Sequence, residues 1–407
     1  MKKLIYSRTV QLCIFSGLLI VTPFLMLLNY LQPMIKLASN ATFSVSEYEI
    51  PYIVVIGLSI IILVFILNRK HITLYRCVAF TAVLSLWVLG QNSSDWYFSD
   101  HFYDLQHNWH YIAYGMFSIL CYRLFTQKGF SNSKVMILTL VSALGVSSFD
   151  EIVQVFISNR IFDIGDIAKD CWGVIIGLAL VYFVYEQGKI ISNGIHLRAR
   201  SYSLRHYVTN SPATLFHLAL FAYFLLSISS VITTSSYLSY AITIPVFTWL
   251  AFFLLFHFSR NKIVLILSII LMIIIIGYPV YRVHFDKNHT IRTCSRRFVD
   301  YAGIPIPFFD IMVFPNGHFR IVDKKDFFNG RDLSTIGKYV KDILVIGTGH
   351  KGQGGKGLPM DTNHQFIYNT SSSRMIQVIR QPSVAACKTY NRLIINGKNV
   401  LLVLHNE

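Results

Sequence analysis

Charged residues are scarce in this sequence, and they are distributed unevenly along the chain. Asp, Glu, Lys and Arg make up 14% of the 407 residues and hydrophobic residues 54%, which excludes an ordinary soluble globular protein. The run Ile263–Gly277 contains no charge at all, whereas the chain beyond about residue 285 has the charge density of a soluble domain. The composition therefore divides the chain near residue 285.

Cysteine is also sparse, and the six cysteines show no metal-binding spacing. Four of them lie in hydrophobic stretches, where a thiol acts as a small apolar side chain: Cys13, Cys77, Cys121 and Cys171. Cys294 and Cys387 are the remaining pair, and the sequence leaves open whether they approach closely enough for a disulfide. We expect neither a metal nor a cofactor, because a zinc site would need an unfamiliar ligand pattern built from Asp104, His107, His110 and Glu151.

The basic excess has an explanation that does not involve nucleic acid. The formal net charge is +16, but the Lys and Arg residues of the first part lie in short loops beside hydrophobic runs, where they set membrane orientation. We therefore expect no nucleic-acid partner. The apolar run that follows Lys2, Lys3 and Arg8 is too long for a cleaved signal and predicts a retained first helix.

Hydrophobic runs predict an all-α polytopic transmembrane bundle of about nine helices, followed by a small soluble α/β domain. A bilayer requires roughly 17–25 mainly apolar helical residues per span. The predicted spans are 10–31, 51–68, 73–90, 109–125, 134–149, 168–185, 213–232, 238–257 and 263–280. The fifth is short and runs into Asp150 and Glu151, so it either crosses or re-enters the membrane.

Loop charges predict the orientation of these spans. Basic loops alternate with acidic or neutral loops, and basic loops stay in the cytoplasm, which predicts a cytoplasmic N-terminus. The C-terminal domain lies outside if the fifth segment crosses and inside if it re-enters. The basic residues Arg282, Lys287, Arg292, Arg296 and Arg297, which follow the last span, favour the inside.

Polar residues cluster between the fourth and sixth predicted spans. Glu151 and Gln154 are three residues apart and share a helical face, and Asp163, Asp166 and Asp170 continue at spacings of three and four. Charges are costly in hydrocarbon, so these groups should face the bundle interior and pair with one another. The predicted polar site comprises His110, Tyr114, Glu151, Gln154, Arg160, Asp163, Asp166 and Asp170, with His110, Glu151, Arg160 and Asp166 expected as partners.

This arrangement resembles the VanZ-like membrane proteins, a family named for a teicoplanin-resistance protein. The resemblance covers about residues 10–185 and rests on His110-Tyr111-x-x-Tyr114, Glu151-x-x-Gln154, Arg160, Asp166 and Gly173-x-x-x-Gly177. Gly173 and Gly177 are typical of a close helix-packing face. The chain departs from the family in having Gln106-His107 where Asp-Lys is usual, and Asp170 where Asn is usual.

The resemblance implies a multi-pass protein in the cytoplasmic (inner) membrane of a bacterium. On this basis the domains are a VanZ-like part at 1–190, additional spans at 191–284 and a soluble α/β domain at 285–407. The predicted function is non-enzymatic binding of a lipid-linked or glycopeptide ligand in the cell envelope. The alternative is a membrane enzyme or proton-coupled carrier that uses Glu151, Asp166 and His110. A purely structural role for the polar residues, locking the helices together, also stays open.

The last part of the chain alternates strand and helix signals. Pro315-Asn316-Gly317 predicts a hairpin between strands 311–314 and 318–322. Further strands are predicted at 342–347, 375–380 and 398–404, with a helix at 383–393. Gly347-Thr-Gly-His-Lys-Gly352 matches a dinucleotide fingerprint, but the glycines that follow should prevent a helix from starting there.

The tail resembles a family of small α/β domains that includes a mitochondrial complex I assembly factor and an adipogenesis-associated protein. The residues that carry this likeness are Asp342–Gly349, Ala385–Asn391 and Asn396–Val400. The resemblance implies a module that binds a protein partner. Its candidate residues are Gly347, Gly349, Lys351, Cys387, Tyr390 and Asn391.

Overall fold

The computed structural model describes most of the chain. The described residues are 7–26, 31–45, 48–94, 103–156, 162–191, 211–233, 238–258, 289–322, 342–352, 366–369 and 374–406, with isolated positions at 209, between 263 and 283, between 336 and 340, and at 354. The chain divides into two compact units. The first comprises residues 1–230 and 242–260, and the second comprises residues 231–241 and 261–407.

Helices account for nearly all regular structure before residue 260. They are α1 (Arg8–Met26), α2 (Leu31–Asn40), α3 (Tyr52–Leu67), α4 (Leu74–Ser94), α5 (Leu105–Gln127), α6 (Asn132–Gln154), α7 (Ile164–Ala179), α8 (Pro212–Ile232) and α9 (Leu238–Phe258). A π-helical turn, Leu180–Tyr185, extends α7. A small hairpin of β1 (Thr42–Val45) and β2 (Tyr48–Pro51) stands between α2 and α3.

Five described helical segments are long and apolar enough to cross a membrane, so the chain is a multi-pass integral membrane protein. They are Leu74–Gln91, Asn132–Gln154, Ile164–Tyr185, Pro212–Ser230 and Leu238–His257. The full number of nine spans is not confirmed. The apolar segments of α1 and α3 are shorter, α5 is long but polar in its first turns, and the predicted span at 263–280 lies largely outside the described residues.

The fifth predicted span is longer in the structure than in the sequence-based prediction. It forms α6, a continuous helix of 23 residues that passes through Asp150 and Glu151 instead of stopping before them. At 1.5 Å per residue such a helix is about 34 Å long, enough to cross a bilayer. The two carboxylates are compatible with this length because both are buried inside the protein and do not face lipid.

Glycines bring α5 and α7 into backbone contact. A Cβ atom at Gly173 would lie 2.8 Å from the carbonyl oxygen of His110, and one at Gly177 would lie 2.9 Å from the Cα atom of Gly115. Ser118 also crowds Gly177, and its hydroxyl donates to the Gly115 carbonyl at 2.7 Å. The expected close-packing face is therefore present, and it brings the first turns of α5 and α7 together.

The second unit contains strands and a helix that form an α/β fold. Its larger sheet has the order β7 (Phe319–Val322), β6 (Asp310–Val313), β11 (Val400–His405), β8 (Ile343–Thr348), β10 (Arg374–Gln381) and β9 (Phe366–Asn369). β11, β8 and β10 are parallel, and the outer pairs are antiparallel. Helix α10 (Ser383–Ile395) joins β10 to β11. A second sheet consists of β3 (Ile291–Ser295), β4 (Phe298–Tyr301) and β5 (Ile304–Pro307).

The predicted strands and helix of this unit are confirmed to within about two residues, because the buried runs are short and end at turn residues. The Asn316-Gly317 hairpin is confirmed as well. Gly317 has φ +86°, and its amide donates to the Phe314 carbonyl at 2.9 Å. No helix begins in the described segment 349–352 after β8, as expected from the glycines there.

Candidate functional site

Three helix ends meet at one end of the membrane unit: the start of α5, the end of α6 and the start of α7. Polar side chains concentrate there, within about 10 Å along the helix axes. We call this group the polar cluster; it consists of His107, His110, Tyr114, Ser147, Asp150, Glu151, Gln154, Asp163, Asp166, Lys169 and Asp170. Helical spacing explains the local arrangement, since residues three or four apart project from one face.

Asp170 is a buried carboxylate that connects all three helices. One oxygen, Oδ1, lies 2.8 Å from Nδ1 of His110 on α5, and the other, Oδ2, accepts a hydrogen bond of 2.6 Å from the Ser147 hydroxyl on α6. The residue is 2% exposed. Both oxygens therefore have partners, as a buried carboxylate requires.

A second group of contacts lies nearer the start of α7. Lys169 Nζ is 3.4 Å from Asp166 Oδ1 and 3.4 Å from Nδ1 of His107. Asp166 Oδ1 is also 3.9 Å from Nε2 of His110, which links this group to Asp170. Lys169 thus brings its amino group beside His107.

Glu151 holds the beginning of α7 against the end of α6. Its Oε2 accepts a hydrogen bond of 2.8 Å from the backbone N–H of Asp163, and its Oε1 accepts one of 2.8 Å from the amide of Gln154. Asp163 in turn caps α7, because its Oδ1 accepts from the Gly165 N–H at 2.8 Å. These bonds position the segment that carries Asp166.

Two buried polar atoms of the cluster have no hydrogen-bond partner within the described part of the chain. They are Oδ1 of Asp150 and the hydroxyl of Tyr114. The other oxygen of Asp150 accepts from Gln154 at 3.4 Å, a long hydrogen bond. A buried polar group that has no hydrogen-bond partner reduces stability by roughly 1–3 kcal/mol. A ligand that bonded to these two atoms would therefore recover this free energy.

Seven of the eight predicted site residues lie together in the structure. His110, Tyr114, Glu151, Gln154, Asp163, Asp166 and Asp170 all lie at the same helix ends, and Arg160 is outside the described residues. His110 lies 2.8 Å from Asp170, which was not among the four expected partners, and 3.9 Å from Asp166, which was. Ser147, Asp150 and Lys169 were missed. The spacing could have revealed them, since Ser147 lies four residues before Glu151 and Lys169 three after Asp166.

The polar cluster is rich in carboxyl groups. It contains five carboxylates, one ammonium group and two imidazoles. Among the described residues no group of three His, Cys, Asp or Glu side chains is placed to hold a metal ion. The cluster therefore offers hydrogen-bond acceptors and charge, chiefly for hydroxyl or ammonium groups.

Below the cluster the helices bury apolar surface. From Cys171 to Ala179, α7 buries only apolar side chains and glycine, and Trp172, Ile175 and Leu178 have essentially no exposure. Phe117 and Cys121 of α5 are equally enclosed. The polar cluster is thus confined to one end of the unit within the described segments.

The candidate residues of the C-terminal module are distributed over two places. Gly347, Gly349 and Lys351 lie at the end of β8 and in the turn that follows, where Gly349 has φ +79° and its amide donates to the Ser383 hydroxyl at 2.9 Å. Cys387, Tyr390 and Asn391 lie on α10. Burial raises the pKa of Tyr390 well above its usual range.

A buried contact between a histidine and an aspartate, which sequence reasoning missed, lies at the same edge of the sheet. Nδ1 of His405, at the end of β11, lies 2.9 Å from Oδ1 of Asp310, and the backbone N–H of Asn406 donates to that oxygen at 2.7 Å. The two residues are 95 positions apart, so no local signal could have joined them. The contact joins β6, the first strand of this sheet in chain order, to β11, the last in chain order.

A comparison with models of known protein families gave a match in the helical part of the chain. A family model described as VanZ/LLP1 matches residues 50–185, that is 136 of the 407 residues. No curated protein and no solved structure gave a match. The VanZ-like resemblance is thereby confirmed for residues 50–185, which include the whole polar cluster, whereas the resemblance of residues 285–407 stays a prediction.

Proposed function

We propose that this chain is a cell-envelope protein of the inner membrane of a bacterium that binds a lipid-linked or glycopeptide ligand at the polar cluster without transforming it. The carrying observation is the pair of unpartnered buried atoms, Asp150 Oδ1 and the Tyr114 hydroxyl, within an otherwise hydrogen-bonded network. The match to a VanZ/LLP1 model supports a role in glycopeptide resistance.

The position of the cluster supports a ligand that arrives from one face of the membrane. His110 and Asp166 lie within two turns of the starts of their helices, and Asp150 and Gln154 lie in the last turns of α6. The charge pattern predicts that two acidic segments are external, and they carry Asp95, Asp100 and Asp104 in one and Asp150, Glu151, Asp163 and Asp166 in the other. A head group at the membrane surface can reach this depth, whereas a lipid tail would meet the apolar residues beneath.

The second candidate is proton transfer through the chain of contacts Ser147–Asp170–His110–Asp166–Lys169. Three of these contacts are 2.6, 2.8 and 3.4 Å long, and the contact between His110 and Asp166, at 3.9 Å, is longer than a hydrogen bond. The route ends at the apolar layer that begins at Cys171, so it does not extend toward the opposite end. A group of polar contacts at one end of the helices is expected of a binding site, whereas a transport path would continue toward the other end.

Removing either unpartnered atom should weaken binding without loss of the fold. For Asp150→Asn we expect about a tenfold increase in the Kd for teicoplanin, since a hydrogen bond to a charged group contributes roughly 1.5–3 kcal/mol. Tyr114→Phe removes a neutral donor, so a smaller increase is expected. Binding is measured with the full-length protein in lipid nanodiscs, and the inhibitory teicoplanin concentration is measured in cells that express each variant.

Ser133→Ala is the matched control for these variants. Ser133 lies on the same helix as Asp150 and is likewise buried without a hydrogen-bond partner for its hydroxyl, but it is in the first turn of α6, at the opposite end. Its removal should leave binding unchanged. Normal yield of Asp150→Asn with unaltered teicoplanin binding and susceptibility would contradict the proposal. Loss of proton uptake into proteoliposomes in Glu151→Gln would favour the carrier instead.

We further propose that the N-terminus is cytoplasmic and that residues beyond 285 lie outside the cytoplasm. The 23-residue length of α6 supports a full crossing by the fifth of the nine predicted spans, and nine crossings would place the two ends of the bundle on opposite sides of the membrane. We expect alkaline phosphatase fused after residue 285 to be active and a fusion after residue 130 to be inactive, with fluorescent-protein fusions giving the reverse. An inactive alkaline phosphatase and a fluorescent reporter after residue 285 would show instead that these residues are cytoplasmic and that one segment re-enters.

A further inference from the structure

Strand β3 lies along helix α10 and is attached to it at two points. The side chain of Asn391 makes two bonds to the backbone of Ile291: it accepts from the N–H at 2.8 Å and donates to the carbonyl at 2.7 Å. At the other end of the strand the Cys294 thiol lies 3.6 Å from the carbonyl oxygen of Ser383. The strand and the helix therefore run in opposite directions.

The strand and the helix have nearly the same length between the two points of attachment. Three residues of strand span about 10 Å, and the eight residues between Ser383 and Asn391 span about 12 Å of helix. Cys387 lies four residues from each of these, so it occupies the same face of α10, between them. This register places the Cys387 thiol beside that of Cys294, and both cysteines are unbridged in the structure.

The two thiols differ in exposure and in acidity. Cys387 is 3% exposed, whereas Cys294 is half-buried at the margin of its sheet. The pKa of Cys294 is lowered because its sulfur accepts a hydrogen bond from the Cys387 thiol, and the pKa of Cys387 is raised because its proton is held in that bond. The accessible sulfur is thus the better thiolate, which suits it to attack an incoming disulfide.

We propose that Cys294 and Cys387 are a reversible oxidation site that closes to a disulfide and fastens β3 to α10. The Cys294 thiolate attacks one sulfur of an external disulfide, such as that of oxidised glutathione or of a thiol–disulfide oxidoreductase, and releases one thiolate. The Cys387 thiol then loses its proton and attacks Cys294 Sγ, which releases the second thiolate. Two protein thiols are oxidised, and one external disulfide is reduced to two thiols.

The bond would constrain a large part of the second unit. It would join β3 to α10 across the intervening strands β4–β10, and it would add a covalent link to the Asn391 and Ser383 contacts. Because the two cysteines are far apart in the sequence, a disulfide between them would strongly reduce the conformational entropy of the unfolded chain. The reduced pair is compatible with the fold, so the bond can open and close without a change of register.

Peptide mapping of the full-length protein in detergent tests the proposal. The protein is equilibrated with oxidised glutathione, alkylated and digested with trypsin, which yields the peptides Thr293–Arg296 and Gln381–Lys388. We expect these two peptides to appear joined by a disulfide, to separate on reduction with dithiothreitol, and the number of alkylated cysteines to fall from six to four.

Single variants assign the bond. Cys294→Ser and Cys387→Ala should each abolish the joined peptide, and Cys13→Ser, in helix α1 of the first unit, should leave it unchanged. Six alkylated cysteines at saturating oxidised glutathione would overturn the proposal. So would glutathione attached to Cys294 and never displaced by Cys387. Because the mapping is done on the native sequence, the result does not depend on how any variant folds.

Discussion

Asp170→Ala should reduce the free energy of unfolding of the membrane unit by about 3 kcal/mol, the loss typical of removing one partner from a buried charged pair. His110 Nδ1 and the Ser147 hydroxyl would both lose the carboxylate that they contact, at 2.8 and 2.6 Å. Unfolding of the purified protein by sodium dodecyl sulfate in mixed micelles measures the change. Asp170→Asn should cost less, because an amide oxygen can still accept one of the two bonds.

Asp166→Ala is the control, because it removes a second carboxylate from the same end of α7. Asp166 is more exposed than Asp170, with 27% of its side chain accessible, and its contacts with Lys169 and His110 are longer, at 3.4 and 3.9 Å. We expect a loss of about 1 kcal/mol or less. Equal losses for the two variants would show that Asp170 does not connect the three helices in the way that its hydrogen bonds indicate.

Spacing along one helix was sufficient to predict local groupings but not partners on other helices. Glu151 and Gln154 were predicted to share a face, and they hydrogen-bond at 2.8 Å. The choice of Asp170 over Asp166 as the partner of His110 depends on how closely α7 approaches α5. That distance is set by Gly173, whose role in packing was predicted, but the rotation of one helix against the other was not.

The C-terminal unit shows the same division between local and long-range information. Strand positions follow from short apolar runs bounded by turn residues such as Asn316-Gly317, so they could be predicted. The order β7-β6-β11-β8-β10-β9 could not, because it depends on pairings between distant segments. Asp310 and His405 illustrate the limit, since they become neighbours only when β6 pairs with β11.

Gly177→Ala should be as damaging as the loss of a buried charge, although it adds a single methyl group. The added Cβ would overlap the Ser118 hydroxyl and the Gly115 carbonyl, and would lie 2.9 Å from the Gly115 Cα. Backbone atoms cannot rotate away, so α5 and α7 must separate, at a cost of about 3 kcal/mol, the upper range for overpacking. The same detergent titration measures the loss, and teicoplanin binding should weaken with it, because separation lengthens the His110–Asp170 contact.

Gly145→Ala separates this steric effect from helix propensity. Gly145 is in the interior of α6, and a Cβ there would meet no atom within 4 Å. Alanine favours a helix over glycine by roughly 0.5–1 kcal/mol, so this variant should unfold at a slightly higher detergent fraction than the native protein. A similar gain in Gly177→Ala would mean that α5 and α7 are farther apart than the backbone contact requires. The polar cluster would then have to be held together by its hydrogen bonds alone, and Asp170→Ala would be the more damaging change by a wide margin.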